Sequence, residues 1–268
     1  MKIEQAKQLT EQALDKLIQA LEAGKSEALK AYLATMSRFH KYSWSNLMLI
    51  AFQMPSATRV AGFHTWKSLH RFVKKGEKGI MILAPLTVKR GIRAREEQGP
   101  DPAPVVLGFR PVYVWDQSQT DGQPLPELSA VNGDPGNYMD RLKAYVAQLG
   151  ISFEYSSEIA PAKGLSQGGK ITLLPDLSPA ESLAVLVHEV SHELMHRSER
   201  RAQTTRTIRE TEAEAVTSVV SHAIGLDGAE ASTSYIQLWN GDKQTLMESL
   251  QFIQATASQI LTAISPGD

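Results

Sequence analysis

The stretch that decides the fold of the C-terminal half is residues 178–197, which read SPAESLAVLVHEVSHELMHR. Ser178 is a typical helix cap, Pro179 suits the first helical position, and Glu181 stands three residues after the cap. The apolar residues that follow are typical of a helix that crosses a hydrophobic core. The sequence therefore predicts a well-defined helix over this stretch.

Two histidines stand four residues apart on this helix. His188 and His192 project from one face, at a spacing that suits two adjacent corners of a metal's coordination tetrahedron. In this HExxH pattern the imidazoles bind the metal, and Glu189 is the general base that takes a proton from the attacking water. The alternative is a buried histidine pair satisfied by hydrogen bonds. A second, overlapping HExxH runs from His192 to His196, but we prefer the first because the apolar segment leads directly into it.

A site with two histidines needs a third protein ligand, and the absence of cysteine leaves a carboxylate or another histidine. The next predicted helix, residues 206–226, carries Glu210, Glu212 and Glu214 into an apolar stretch. Glu210 and Glu214 share one face, whereas Glu212 lies about 200° away at about 100° per residue. Helical geometry alone does not choose between these faces. A glutamate that is not a ligand can orient an imidazole through its second nitrogen.

The composition is that of a globular protein: 268 residues, 42% hydrophobic and 21% charged. The chain has no cysteine, which excludes disulfide frameworks, thiolate metal sites and cysteine nucleophiles and suits the cytoplasm. Its longest apolar run, residues 47–52, is far shorter than the roughly 20 residues that cross a bilayer. We therefore expect a cytoplasmic protein with no membrane partner.

Charge is distributed unevenly along the chain. Before Trp115 there are 18 Lys and Arg against 9 Asp and Glu, and after it 10 against 20. A basic N-terminal half is typical of a protein that faces a polyanion.

The order of patterns predicts an α+β protein. Helical periodicity extends to about Phe52, and residues 65–72 predict a short helix. Residues 80–88 and 105–115 predict paired strands joined by a charged loop at residues 90–104. The Gly- and Pro-rich segment after Trp115 indicates a boundary between domains at residues 1–128 and 129–268, the second mostly helical.

Basic and aromatic residues interleave in the N-terminal half, as single-stranded nucleic acid requires for phosphate contacts and base stacking. The alternative is that Trp66 and Phe72 pack the short helix on the sheet and the lysines are only solvated. The candidate DNA-binding residues are Asn46, Arg59, Trp66, Lys67, Arg71, Lys74, Lys75 and Lys78.

Five segments together resemble the ArdC-type antirestriction family. They read YSWSNLMLI, GFHTWKSLHRFVKKGEKGIMILAP, VYVWDQSQTDGQPLP, HEVSH and ETEAEAVTSVVSHAIGL. The resemblance covers nearly the whole chain. It implies an N-terminal single-stranded DNA-binding domain joined to a zincin-like metallopeptidase domain, carriage on a plasmid or other mobile element, and protection of incoming DNA from restriction.

The resemblance also assigns roles to residues. The pair Ala213-Glu214 matches the family pattern, so His188, His192 and Glu214 are expected to hold one Zn²⁺, or another divalent metal, with Glu189 as base. Glu212 is the fallback ligand. Before the strand at residues 170–174 this chain reads GLSQGGK where relatives often carry aromatic residues, so substrate contacts do not transfer there.

The sequence thus predicts a single-stranded DNA-binding antirestriction protein with a zinc peptidase domain. Its protein partner would be a restriction enzyme or another substrate. Two alternatives remain open: a non-catalytic DNA-binding protein with a structural or vestigial metal site, and a peptidase that cleaves a specific repressor.

Overall fold

The computed structural model describes residues 2–88, 105–125, 136–226 and 242–265. Their contacts form two compact units: Met1–Asp15 with Met48–Leu125, and Lys16–Leu47 with the described residues of Pro126–Asp268. The loop predicted at residues 90–104 and the boundary predicted between residues 128 and 129 lie outside the described residues.

The helices and strands follow in chain order: α1 (Lys2–Glu22), α2 (Glu27–Arg38), α3 (Trp44–Gln53), β1 (Val60–Gly62), α4 (Phe63–Ser68), β2 (Arg71–Val73), β3 (Ile80–Val88), β4 (Val105–Asp116), β5 (Thr120–Gly122), α5 (Tyr138–Gln148), β6 (Ser152–Tyr155), β7 (Gly164–Ser166), β8 (Lys170–Leu173), α6 (Pro179–Met195), α7 (Ser198–Gln203), α8 (Arg206–Ala223) and α9 (Lys243–Ile264). The predicted α+β class is confirmed.

The first unit is built on a three-stranded antiparallel sheet in the order β1-β4-β3. Met81 of β3 packs with Leu49 of α3 and Ala6 of α1 in one buried cluster. Gln53 of α3 adds polar contacts to β3, since its side chain accepts from the Met81 N–H at 3.0 Å and donates to the Met81 carbonyl at 2.9 Å. Helix α3 therefore packs on β3 through both apolar and polar contacts, and α1 joins the apolar cluster.

The helix predicted over residues 65–72 is wrong in its second half. The helix ends at Ser68, His70 adopts a left-handed φ of 55°, and Arg71–Val73 forms a strand instead. This short strand pairs antiparallel with β5, so that Phe72 stands opposite Asp121. Pairing with β5, which lies far along the sequence, overrides the local helical pattern.

Asp116, at the end of β4, fastens the neighbouring loop to the sheet. Its buried carboxylate accepts hydrogen bonds from the N–H groups of Thr58 at 2.7 Å, Arg59 at 2.9 Å and Ser118 at 2.9 Å. Burial alone would raise the pKa of Asp116, but these bonds outweigh it and the pKa is lowered. The segment that contributes to the family resemblance, VYVWDQSQTDGQPLP, therefore includes a structural clamp.

The second unit combines a small sheet with a group of helices. The sheet has the order β6-β8-β7, with β6 parallel and β7 antiparallel to β8. Helix α6 packs against this sheet and against α8, and α9 packs against α8 and α5. The core side chains of α6, α8 and α9 include Leu186, Val190, Val216, Leu250 and Ile253.

Residues 16–47, predicted to belong to the N-terminal domain, join the second unit instead. Helix α2 packs on α8 through its buried face, which includes Leu29, Leu33 and Met36. After α2, the Gln254 amide of α9 donates to the carbonyl oxygens of His40 at 3.1 Å and Tyr42 at 2.9 Å. Sequence order alone gives no sign of this pairing across more than 200 residues.

Within the described ranges, no helix is both long and apolar enough to cross a membrane.

We expect Asp116→Asn to destabilise the first unit by about 1–3 kcal/mol, because an amide accepts fewer of the buried N–H groups. Urea unfolding followed by the fluorescence of Trp66 and Trp115 would measure the loss. The matched control is Asp121→Asn, which removes a carboxylate whose side chain is 78% exposed.

The same pair of proteins should differ in a pH-dependent way. Because folding lowers the pKa of Asp116, its charged form stabilises the unit fully above the unfolded value of 3.8. That contribution disappears as the pH falls through the lowered folded value. The stability difference between parent and Asp116→Asn should therefore shrink in acid, and a difference independent of pH would contradict the assigned role.

Candidate functional site

Two helices bring three metal-ligand atoms together. His188 and His192 lie one turn apart on α6, with their Nε2 atoms 3.1 Å from each other. Glu210, near the start of α8, places Oε2 at 3.4 Å from the first Nε2 and 3.5 Å from the second. Among the described residues, this is the one group of three or more His, Asp or Glu side chains whose ligand atoms all lie within 4.8 Å.

The spacing of these atoms fits a divalent metal. Bonds of about 2.0–2.1 Å to nitrogen and oxygen place neighbouring corners of a tetrahedron about 3.3 Å apart. The three measured separations of 3.1, 3.4 and 3.5 Å lie close to that edge length. The Glu210 side chain is 47% exposed, which leaves the fourth corner open towards the adjoining cleft. Two histidines, one carboxylate and an open position form the ligand set of a catalytic metal site.

Glu214, the third ligand expected from the family resemblance, is not part of this group. It lies on the same face of α8 as Glu210 but one turn further along the helix. The start of α8, which carries Glu210, is the part that faces the two histidines. The geometry therefore supports the predicted helical face but places Glu210 in the position assigned to Glu214.

Glu212, the fallback ligand, is fully buried and lies on the other side of the histidines. Its Oε2 accepts from His196 Nε2 at 2.7 Å, and its Oε1 accepts from Arg200. His196 Nδ1 in turn lies 2.9 Å from His192 Nδ1. A chain of polar contacts thus leads from Glu212 through His196 to the metal-facing imidazole of His192.

This chain fixes the tautomer of His192. Burial lowers the pKa of His196 more than Glu212 raises it, which favours the neutral imidazole. When its Nε2–H donates to Glu212, its Nδ1 must accept, and the donor is then the Nδ1–H of His192. The Nε2 lone pair of His192 is left facing Glu210, as a metal ligand requires.

Glu189, the predicted base, lies in the same cleft as the three candidate ligands. It is 7% exposed and lines the same cleft as His188 and His192. Burial raises the pKa of Glu189 and the neighbouring His188 and His192 oppose this, but the net shift is upward. A carboxyl group whose pKa lies closer to neutrality can both accept and return a proton.

Gly164 of β7 makes room for this carboxylate. A Cβ atom at that position would lie 2.6 Å from Glu189 Oε1 and 2.6 Å from Val185 Cγ1. Both distances are shorter than van der Waals contact, so any side chain larger than hydrogen would displace Glu189. Sequence reasoning missed Gly164, although the GLSQGGK segment that contains it departs from the pattern of relatives.

The overlapping second HExxH is structural. Glu193 accepts from Ser166 Oγ at 2.5 Å, from the N–H groups of Gly168 at 2.8 Å and Gly169 at 2.9 Å, and from Arg197. Burial would raise the pKa of Glu193, but these donors together lower it. With both oxygens engaged, Glu193 anchors the β7–β8 turn to α6 and is not available as a base.

Three of the predicted DNA-binding residues are buried. Trp66 is 2% exposed and donates from Nε1 to the Trp115 carbonyl at 2.8 Å. The Arg71 guanidinium donates to Thr120 Oγ1, to the Thr120 carbonyl and to the Gln123 carbonyl at 2.5–2.9 Å. Asn46 is 7% exposed and belongs to the second unit. The structure thus places Trp66 and Arg71 in structural positions, away from a free surface.

The remaining candidates lie nearer the surface. Arg59 is half-buried, whereas the four lysines are exposed: Lys67, Lys74, Lys75 and Lys78. The turn that carries Lys74, Lys75 and Lys78, called the lysine turn, is held by Gln119. The Gln119 carbonyl accepts from Lys74 N–H at 2.9 Å, and its side-chain amide donates to the Lys78 carbonyl at 2.9 Å. Lys74 Nζ is itself tied to the Ser118 carbonyl at 2.9 Å, which leaves Lys75 and Lys78 as the freer cations.

The exposed aromatic residue beside this turn is Phe72, at 58%. Sequence reasoning treated it only as a possible core residue. Side chains alternate along a strand, so the burial of Arg71 turns Phe72 outward. Once β2 is known to be a strand, this alternation identifies Phe72 as the available ring.

The family-model match agrees with the resemblance that the sequence motifs indicate. Residues 7–115 match the family model described as the N-terminal domain of anti-restriction factor ArdC. The resemblance to the ArdC-type family is confirmed.

Solved structures share the fold over nearly the whole chain. The crystal structure of the metal-free antirestriction ArdC protein from the R388 plasmid is 20% identical, with a TM-score of 0.56 over 96% of this chain and 97% of that one. Its Mn(II)-bound structure is also 20% identical, with a TM-score of 0.55 over 97% of this chain and 99% of the other. At this identity the ArdC likeness establishes the fold alone.

A curated relative is an uncharacterized protein of Bacillus anthracis. It is 25% identical over 308 aligned residues, which cover 97% of this chain and 52% of the relative. The chain therefore spans about half the length of that protein.

We expect Glu210→Gln to lower the affinity of this chain for Zn²⁺ and Mn²⁺ at least tenfold, because an amide lacks the ligand charge. Glu214→Gln is the matched control on the same face of α8 and should leave the affinity unchanged. Competition with a chromogenic chelator would measure both. A larger loss in Glu214→Gln than in Glu210→Gln would return the third ligand to Glu214.

Proposed function

We propose that this chain is an ArdC-type antirestriction protein whose second unit is a divalent-metal peptidase and whose first unit binds single-stranded DNA. The observation that carries the peptidase half is the spacing of 3.1–3.5 Å between His188, His192 and Glu210 beside a buried Glu189. Zn²⁺ is the metal that best suits two imidazoles, one carboxylate and an open position. The R388 ArdC protein, which shares the fold, has been crystallised with Mn(II).

The residues of the cleft divide the work of hydrolysis. His188, His192 and Glu210 hold the cation, which when bound polarises a peptide carbonyl and makes water more acidic. Glu189 takes a proton from the water whose oxygen attacks the carbonyl carbon, and returns it to the amine nitrogen as the C–N bond breaks. His196 and Glu212 keep His192 in the required tautomer throughout.

We expect Glu189→Gln to reduce hydrolysis of fluorescently labelled, unfolded casein at least a hundredfold, because the amide cannot accept the proton. Metal content, measured by elemental analysis of the same samples, should stay at the parent level because Glu189 is not a ligand. Glu193→Gln removes the glutamate of the second register and serves as the comparison. Hydrolysis that survives in Glu189→Gln would remove it as the base. A metal-loaded parent that cleaves no protein would leave only the metal-binding half of the proposal.

The DNA-binding half is supported by the ArdC N-terminal domain match at residues 7–115 and by the exposed lysine turn with its neighbouring ring. Cations on such a turn contact phosphates, while an exposed Phe72 offers a face on which a base can stack. Trp66 and Arg71 are buried in the same unit and stabilise it through hydrogen bonds to backbone carbonyl oxygens.

We expect Lys75→Ala/Lys78→Ala to weaken binding of oligo-dT and to reduce the slope of log affinity against log salt by about 1.4, because each phosphate that a lysine neutralises contributes about 0.7 to that slope. Phe72→Ala should cost about 1–3 kcal/mol of affinity with little change in the slope. Lys7→Ala/Lys25→Ala removes the same charge from exposed positions elsewhere and is the control. Equal effects of the two lysine pairs would mean that the turn is only a solvated surface.

A further inference from the structure

The cleft beside the metal ligands carries an excess of arginines. It has a volume of about 470 Å³, and its lining includes Arg201 from α7 together with Arg206 and Arg209 from the first turn of α8. We call these three arginines the arginine rim. The same lining contains two carboxylates, those of Glu189 and Glu210.

The arginine rim has no acidic partner in the part of the chain that the structure describes. Within the described residues, no carboxylate oxygen lies within 4.0 Å of any of its three guanidinium groups, whereas the nearby Arg197 and Arg200 are paired with Glu193 and Glu212. Arg209 is held in place by the carbonyl oxygens of Arg201, at 3.0 Å, and of Thr204. Arg201 and Arg206 are exposed and their donors remain available.

The position of two of these arginines is electrostatically unfavourable for the helix. Helix α8 begins at Arg206 behind the cap Thr205, and its first turn contains no acidic residue. Cations at a helix N-terminus are destabilising, because the N–H groups there already carry partial positive charge. An anion bound at this place would be stabilised by both the helix end and the guanidinium groups.

The anion that suits this cleft is part of a peptide. The described lining contains no Phe, Tyr or Trp ring on which a nucleic-acid base could stack, and its two imidazoles, of His188 and His192, are candidate metal ligands. One wall is Gly164–Ser166 of β7, whose strand partner among the described residues is β8 on one side, so that its other edge can offer backbone groups to an extended chain. Guanidinium groups bind carboxylates with two parallel hydrogen bonds.

We infer that the arginine rim selects acidic peptide segments, with Arg201 and Arg206 binding Asp or Glu side chains of a substrate that lies along β7. The inference rests on the proposed peptidase function and adds to it the chemical class of the substrate.

The test measures binding, so that it does not depend on turnover. The full-length, Zn²⁺-loaded protein in the Glu189→Gln form is titrated into two fluorescein-labelled peptides, Ala-Glu-Glu-Ala-Glu-Glu-Ala and its counterpart with glutamine in place of glutamate. Anisotropy gives the two affinities. The variants are Arg201→Gln/Arg206→Gln and, as a control with the same loss of charge in the same unit, Lys143→Gln/Lys170→Gln.

We expect the glutamate peptide to bind at least tenfold more tightly than the glutamine peptide. This preference should vanish in the arginine variant and persist in the lysine control. Equal affinity for the two peptides, no detectable binding of either, or a preference that survives loss of both arginines would overturn the inference. If the arginine variant instead loses affinity for oligo-dT, the rim serves nucleic acid. Selective binding without any hydrolysis by the parent would overturn the peptidase proposal alone.

Discussion

The contact between α6 and α8 is the constraint on which the metal centre depends. Glu212 is buried completely in this contact, where an unpaired carboxylate would cost several kcal/mol. Arg200 and His196 satisfy it, and that requirement leaves α8 little freedom to slide or turn relative to α6. The same register brings Glu210, two residues earlier, to the imidazoles on the other side. A fully buried carboxylate and its hydrogen-bond partners thus set the geometry of the half-exposed candidate metal site.

His188 and His192 of α6 and the following cap residue His196 form a single row, in which the two ring nitrogens of His192 have different partners. His188 and His192 approach each other through Nε2, at 3.1 Å, and His192 meets His196 through Nδ1, at 2.9 Å. Side chains four residues apart on a helix are neighbours on one face, so His196 contacts His192 just as His192 contacts His188, and His196 can orient the His192 ring. In the two overlapping HExxH motifs, His188 and His192 are therefore the candidate ligand pair and His196 supports His192. Its glutamates differ in the same way, since Glu189 faces the cleft and Glu193 anchors the β7–β8 turn.

Much of this centre follows from the sequence, and the part that does not has a physical cause. The cap, the apolar lead-in and the i, i+4 histidines predict α6 and its face from local rules. The third ligand depends on where α8 crosses α6, and one helical turn separates Glu210 from Glu214 without changing the face. Gly164 illustrates the same limit, because its role comes from an approach of β7 to Glu189 that no local pattern encodes. The family resemblance gave the fold class correctly, whereas for the third ligand it favours Glu214 and the geometry favours Glu210.

In the first unit the sequence predicts the main strands but not which charged residues are free. Arg71 and Lys75 look equivalent in HRFVKKGEKG, yet Arg71 lies beside the carbonyl oxygens of Thr120 and Gln123 and donates to both. A guanidinium with five donors can satisfy several carbonyls at once, which the single ammonium group of a lysine does less well. Arg71 is therefore held by hydrogen bonds to backbone carbonyl oxygens, whereas Lys75 and Lys78, on either side of Gly76, remain exposed to solvent. The difference in hydrogen-bonding capacity between the two side chains, rather than their charge, therefore explains why Arg71 is structural and Lys75 stays exposed.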